Sequence, residues 1–286
     1  MIRVELVKLA RRPRNWVSLA LLCGLPVLVA VFVVVTHVVP PPGQGPTLLS
    51  DVLSSGNLYP AAALAIVLPV FLPIAVAVVG GDAIAGEASS GMLRYLLARP
   101  VSRARLLTAK LVALVAYVLT AVVLVALTAY LTGIALFGAA PVSAPTGGGT
   151  LAAPSPVASA ATSLSGTALT PAELVLRVAG AVAFIAVSML GVGAIALFLS
   201  TVTNSPLAAA LGALAALITS QVLVTLNSAD AVAPYLATRY WLAWIDFFRE
   251  PILWRNIDRG LAVQAVYVVV FLGAAWAYFA TKDITS

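Results

Sequence analysis

The chain has 286 residues, 62% of them hydrophobic and only 9% charged, with a mean hydropathy of +1.08. That much apolar surface cannot be hidden in a soluble domain of this length, so the composition predicts an integral membrane protein. The net charge of +6 is clustered, which reports topology rather than nucleic-acid binding. One cysteine and one histidine exclude an internal disulfide, a Cys-rich metal site and a multi-imidazole zinc or haem centre within one chain.

Residues 1–15 carry Arg3, Lys8, Arg11, Arg12 and Arg14. Ile2, Leu6 and Leu9 recur at helical spacing between these cations. This predicts an amphipathic helix at the inner membrane face, broken at Pro13 and anchored by Trp16. An ordinary basic flank that merely orients the first span fits the same residues. The apolar run 16–39 is ~24 residues, longer than a signal-peptide core, and no small-x-small cleavage site follows it. It is read as the first of six spans, with Cys23 inside it and His37 at its interfacial end.

The second span is placed at 59–80, ended by Gly80-Gly81. Residues 81–110 then form a charged, Gly/Ser-punctuated island with Asp82, Glu87, Arg94, Arg99, Arg103, Arg105 and Lys110. A short helix is predicted over Ala83–Ala98, stopped because Pro100 disfavours helix at Arg99. Met92, Leu93, Leu96 and Leu97 gather on one side of it. Glu87, Gly91 and Arg94 share another face, with Ser90 beside them. The small residues at 85–91, Gly86 among them, would allow a partner to approach closely. A solvated basic loop that only fixes topology is the alternative. Ser102 is a candidate N-cap for the third span, 105–137, whose start (Arg103, Arg105, Lys110) is expected to project into water.

Residues 138–172 contain no charge and are rich in Ala, Pro, Ser, Thr and Gly, as expected of a flexible linker. Thr170-Pro171-Ala172-Glu173 reads as a capping box opening the fourth span, 173–200, and Ser205-Pro206 opens the fifth, 206–227. Segment 228–260 gathers aromatic residues. Trp241, Trp244 and Phe248 form an i, i+3, i+7 stripe, with Tyr240 adjacent. These read as interfacial helices anchored at the headgroups ahead of the sixth span, 261–280. The whole of 1–286 reads as a single transmembrane domain.

Lys/Arg bias places 1–15 and 81–110 in the cytosol, and parity then puts both termini there. Segment 228–260 carries four arginines, so a topology with one fewer span and this segment inside is the alternative. No acid or base lies in the middle of any span, which disfavours an ion-coupled carrier without excluding sodium coupling. No G-x-x-x-x-G-K-[ST] loop is present, so the chain has no nucleotide site of that type. A single histidine supports no hydrolytic constellation, and no catalytic residue is assigned.

The string G-E-A-S-S-G-M-L-R-Y-L-L-A-R-P-V-S-R-A-R-L-L-T-A-K resembles the loop between spans two and three of bacterial type-2 ABC transporter permeases. Those proteins show Gly-Glu, a small residue and Gly ahead of a Leu-rich turn, then Pro-x-Ser-Arg and a basic helix start. Met92 stands where Thr is common. The resemblance implies a coupling helix at Gly86–Ala98 seated in a cleft of a separate ATPase subunit. Glu87, Arg94 and Arg99 would be its polar contacts, while Met92, Leu93 and Leu96 would be buried there or against the basic N-terminal helix.

The same resemblance implies an all-α permease in a bacterial plasma membrane, paired with an identical or related second permease above two ATPase subunits that hold ATP and Mg²⁺. It also suggests that Tyr240, Trp241, Trp244 and Phe248 lie on re-entrant half-helices closing the exit of a transport path. A charge-free interior suits a lipid-like or hydrophobic drug-like cargo exported at the expense of ATP. A non-transport scaffold or regulator, or a secondary carrier, are the alternative readings of the whole chain.

Overall fold

The structure is a computed structural model, and it describes residues 1–36, 59–92, 102–137, 161–162, 168–226 and 231–281. The elements are α1 (Ile2–Arg11), α2 (Pro13–Thr36), α3 (Tyr59–Val67), α4 (Phe71–Ser89), α5 (Arg103–Phe137), α6 (Pro171–Val202), α7 (Pro206–Thr225) and α8 (Trp254–Thr281). Two 3-10 helices, Ala233–Tyr235 and Ala243–Phe248, precede α8. A two-residue antiparallel pair, β1 (Ala161–Thr162) with β2 (Ala168–Leu169), precedes α6. Six helices, α2 and α4–α8, are long and apolar enough to cross a membrane, so the chain is an all-α integral membrane protein.

The helix starts follow local chemistry. Thr170 Oγ1 accepts the Glu173 amide while Glu173 accepts the Thr170 amide, which completes the capping box expected at α6. Ser205 caps α7 ahead of Pro206, and Ser102 Oγ accepts the Arg105 amide at 3.4 Å at the start of α5. Arg12 is extended, so α1 ends there and Pro13 opens α2 in a new direction.

The packing centre is α4 against α6, the two most buried spans, while α2, α7 and α8 present most of their surface outward. In a bilayer the association of helices depends on close approach, which small residues permit. Gly80 and Gly81 do this in α4. A Cβ at Gly80 would meet Ala196 Cβ at 2.9 Å, and one at Gly81 would meet the Ala210 amide at 2.8 Å. The helix therefore runs straight through Gly80-Gly81, which were expected to end it. At the same level Ser200 Oγ, on α6, accepts the Ile84 and Ala85 amides at 3.0 and 2.8 Å.

Two further expectations need correction. The second span is not one helix over 59–80: it consists of α3, a turn at Leu68-Pro69-Val70, and α4 extending to Ser89. The aromatic segment forms 3-10 turns, not an amphipathic or re-entrant α-helical pair, and α8 begins at Trp254, seven residues before the expected start at 261.

Candidate functional site

Asp82 and Glu87 lie near the end of α4, where α1 crosses the bundle, and basic side chains from neighbouring helices reach both. The α1 helix presents Glu5 and Lys8 toward them, and its end supplies Arg12. The start of α2 supplies Arg14 and Asn15, and α5 supplies Lys110. Glu87 accepts from both Lys8 and Lys110, and Lys110 also lies 2.9 Å from Glu5. Asp82 is paired with Arg12 and with Arg14, the latter at 2.5 Å.

This hub is deeply placed: Glu87 is 1% exposed and Lys110 4%. Isolated charges at such depth would be prohibitively costly, and mutual neutralisation is what permits them. The four cations exceed the three anions by one. Two further bonds fix the turn between α1 and α2. Asn15 Nδ2 donates to the Leu9 carbonyl at 2.9 Å, and Trp16 Nε1 donates to the Ala10 carbonyl at 2.7 Å, satisfying acceptors left open at the end of α1.

The Gly-Glu pair of the resemblance acquires a local reason here. A Cβ on Gly86 would occupy the place of the Asp82 carboxylate, so glycine makes room for one half of the hub while Glu87 forms the other. Immediately beyond, Ser89, Ser90, Gly91 and Met92 are exposed. The Ser90 hydroxyl donates to the Gly86 carbonyl at 2.9 Å, and Gly91 has φ +70°, a conformation glycine adopts readily. This exposed turn therefore stands directly on the ion-pair hub.

The site residues expected from sequence divide accordingly. Glu87, expected as a contact to a soluble partner, is buried in the hub. Gly86 lies in α4 and not in a separate helix. Ser90, Gly91 and Met92 are at the surface, while Leu93, Arg94, Leu96 and Arg99 lie outside the described residues. On α1, Lys8 and Arg12 face the hub, Leu6 is half-buried, and Arg3 and Arg11 are exposed. Lys110, expected in water, is enclosed because Glu5 and Glu87 meet it from two helices. Arg105 is exposed as expected, and Arg103 donates to the Phe279 and Ala280 carbonyls at 2.9 and 3.0 Å near the end of α8.

The opposite end of the bundle is aromatic. Trp241, Trp244 and Phe248 are buried within the core, Trp244 completely, so they do not anchor the chain at a lipid headgroup layer. Tyr240 is half-buried against the same core, and Phe247 lies over Gly180 of α6. Sequence reasoning missed what holds this segment. Arg177 of α6 donates to the Phe247 and Arg249 carbonyls at 3.2 and 3.1 Å and pairs with Glu250. Gln264 of α8 donates to the Ala237 carbonyl at 2.7 Å, and the Ser220 and Thr238 hydroxyls are 2.9 Å apart. A lone arginine early in an apolar helix was the available signal.

Among the described residues no group of His, Cys, Asp and Glu is arranged to hold a metal ion. The geometry is one of mechanical connection: an exposed turn, a buried ionic hub beneath it, and four helices joined at that hub. A search among curated proteins finds no match to this chain. Residues 1–172 match the family described as ABC-2 family transporter protein, and this stretch contains the whole hub and the exposed turn. The chain thus belongs to the ABC-2 transporter family and is a permease subunit of an ABC transporter, a multi-pass membrane protein whose family works with an ABC ATPase.

Proposed function

We propose that this chain is the membrane subunit of an ATP-driven exporter, and that the exposed stretch Ser89–Met92, centred on the turn at Ser90-Gly91, with the residues after it receives the movement of the ATPase. The observation that carries this reading is the position of the exposed turn on the buried hub. A push at Ser89–Met92 is delivered within one helical turn to Glu87, and through its lysines to α1 and α5 together. Buried charges cannot separate cheaply, so the connected helices move as a unit. Docking is thereby assigned to exposed residues, with Glu87 as the rigid link behind them.

In this reading both termini face the cytosol of a bacterial cell. Two permeases, identical or related, pair above two ATPase subunits, and ATP and Mg²⁺ reside on those subunits. The permease performs no covalent chemistry. A lipid-like or hydrophobic drug-like cargo fits the charge-free middle of the spans. The aromatic segment closes the far end of the path, held by Arg177.

Replacing Met92 by Asp places charge where a docking surface should be apolar. The variant is expected to lose ATPase co-purification and ATPase stimulation while its thermal midpoint in detergent stays unchanged, since Met92 is exposed. Retention of both ATPase readouts would overturn the docking assignment.

A further inference from the structure

The break between α3 and α4 is unusual for a membrane span. Leu68-Pro69-Val70 forms a turn, and Pro69 and Pro73 have no amide hydrogen, so the Ala65 and Pro69 carbonyls lose the donor a helix would supply four residues on. Val70 stands at the N-cap of α4 with no side-chain cap bond, which leaves the first amides of α4 without that partner as well. Backbone donors and acceptors are therefore left open at one place.

That place lies at membrane depth. Eleven positions of α4 separate Asp82, in the ionic hub, from Phe71, the first residue after the break, a rise of about 16 Å within a hydrocarbon layer of about 30 Å. The other end of α3 packs on α2 and α5: the Tyr59 hydroxyl donates to the Pro26 carbonyl, and its ring lies 5.5 Å from that of Phe137, the last residue of α5. One side of the break is packed: Leu68 and Leu72 are buried. The other is open, with Pro69, Val70, Phe71 and Ile74 exposed.

Irregular backbone at this depth is tolerated where it is enclosed by protein or faces water, and it does not face lipid. An apolar helix laid over the break by a second copy would leave its open carbonyls and amides unpaired; water or a polar ligand group would not. We infer that the Pro69–Ile74 face lines a water-filled transport path, and that it contacts the polar end of an amphiphilic cargo whose head group exchanges hydrogen bonds with backbone. This inference rests on the exporter reading and adds to it the wall of the path and the chemistry met there. The apolar side chains Val70, Phe71 and Ile74 offer the same cargo a surface for its hydrocarbon part.

The test uses the full permease–ATPase complex in membranes, with Cys23→Ser as background and single cysteines introduced by Val70→Cys, Ile74→Cys and, on the outward face of α8, Val269→Cys. The probe is the membrane-impermeant reagent sulfonatoethyl methanethiosulfonate. The cysteine thiolate attacks the reagent's sulfenyl sulfur, forming a mixed disulfide and releasing methanesulfinate, so the rate follows access to water, and about tenfold faster labelling of Val70→Cys and Ile74→Cys than of Val269→Cys is expected. Labelling as slow as at Val269→Cys would overturn the inference. So would disulfide formation between two copies through Val70→Cys, since a close contact there leaves no path. An ATPase that co-purifies with an unlabelled Val70→Cys protein refutes the path wall alone. Fast labelling in a protein that binds no ATPase refutes the exporter reading and leaves the water-facing break standing.

Discussion

At the basic end of the bundle seven charged side chains from four helices neutralise one another inside the protein. At the aromatic end one arginine, Arg177, holds a non-helical segment largely through backbone carbonyls, and its carboxylate partner Glu250 is 44% exposed. The first arrangement is tightly coupled at its enclosed pair, because removing Glu87 or Lys110 leaves a buried charge of opposite sign short of a partner. The second is graded: an exposed ion pair contributes little, while carbonyl bonds and packed rings contribute independently. On the exporter reading proposed above, a rigid link suits an end that receives force, and a segment held by separable contacts suits an end that opens.

The largest effect should come from Glu87→Ala, which leaves Lys110 buried with Glu5 as its remaining partner. A loss of about 3–5 kcal/mol is expected, read from denaturant unfolding of the purified protein, and loosening of α1 should appear as new proteolysis near Arg11. If Glu87→Ala unfolds like the native protein, the hub is not a rigid link and the contrast between the two ends fails.

Arg177→Ala should cost less, about 1.5–3 kcal/mol, since two carbonyls lose a charged donor while the packing of Trp244 and Phe248 remains. Acrylamide should quench tryptophan emission more strongly in this variant, with ATPase association unchanged. A loss of ATPase association here would show that the two ends are coupled tightly and would sharpen the comparison into an allosteric one.

Arg14→Ala should have the smallest effect, within about 1 kcal/mol, because Arg14 is half-exposed and Asp82 keeps Arg12. Its contribution should also fall with added salt, which screens exposed pairs far more than the enclosed Glu87–Lys110 pair. A larger cost at Arg14 than at Glu87 would invert the view of which part of the hub is structural.

Much of this architecture can be read along the chain because a bilayer enforces simple rules. Apolar length marks the spans, and six were recognisable. Local chemistry marks their starts, as at Thr170-Pro171-Ala172-Glu173 and Ser205-Pro206, because a cap and the amide it serves are three residues apart. The basic N-terminal helix and its break at Pro13 belong to the same class. So does the charged island at 81–110, whose family signature lies within about 25 residues.

What the tertiary structure decided were pairings between positions far apart in sequence. Gly80-Gly81 looks like a helix end until Ala196 and Ala210 are brought against it, and then the same glycines are what lets α4 continue. Glu87 looks like a surface contact until Lys8 and Lys110 arrive from 79 residues before and 23 residues after it. Trp241, Trp244 and Phe248 look like an interfacial stripe until α6 and α8 enclose them. In each case the residue's type limits what it can do, but burial and charge neutralisation are properties of the assembled neighbours. Sequence alone therefore set how many spans there are, where several begin and where the charges lie along the chain, and only the fold could decide which charges meet, which glycines are contacts, and which stretch of the second span is left open.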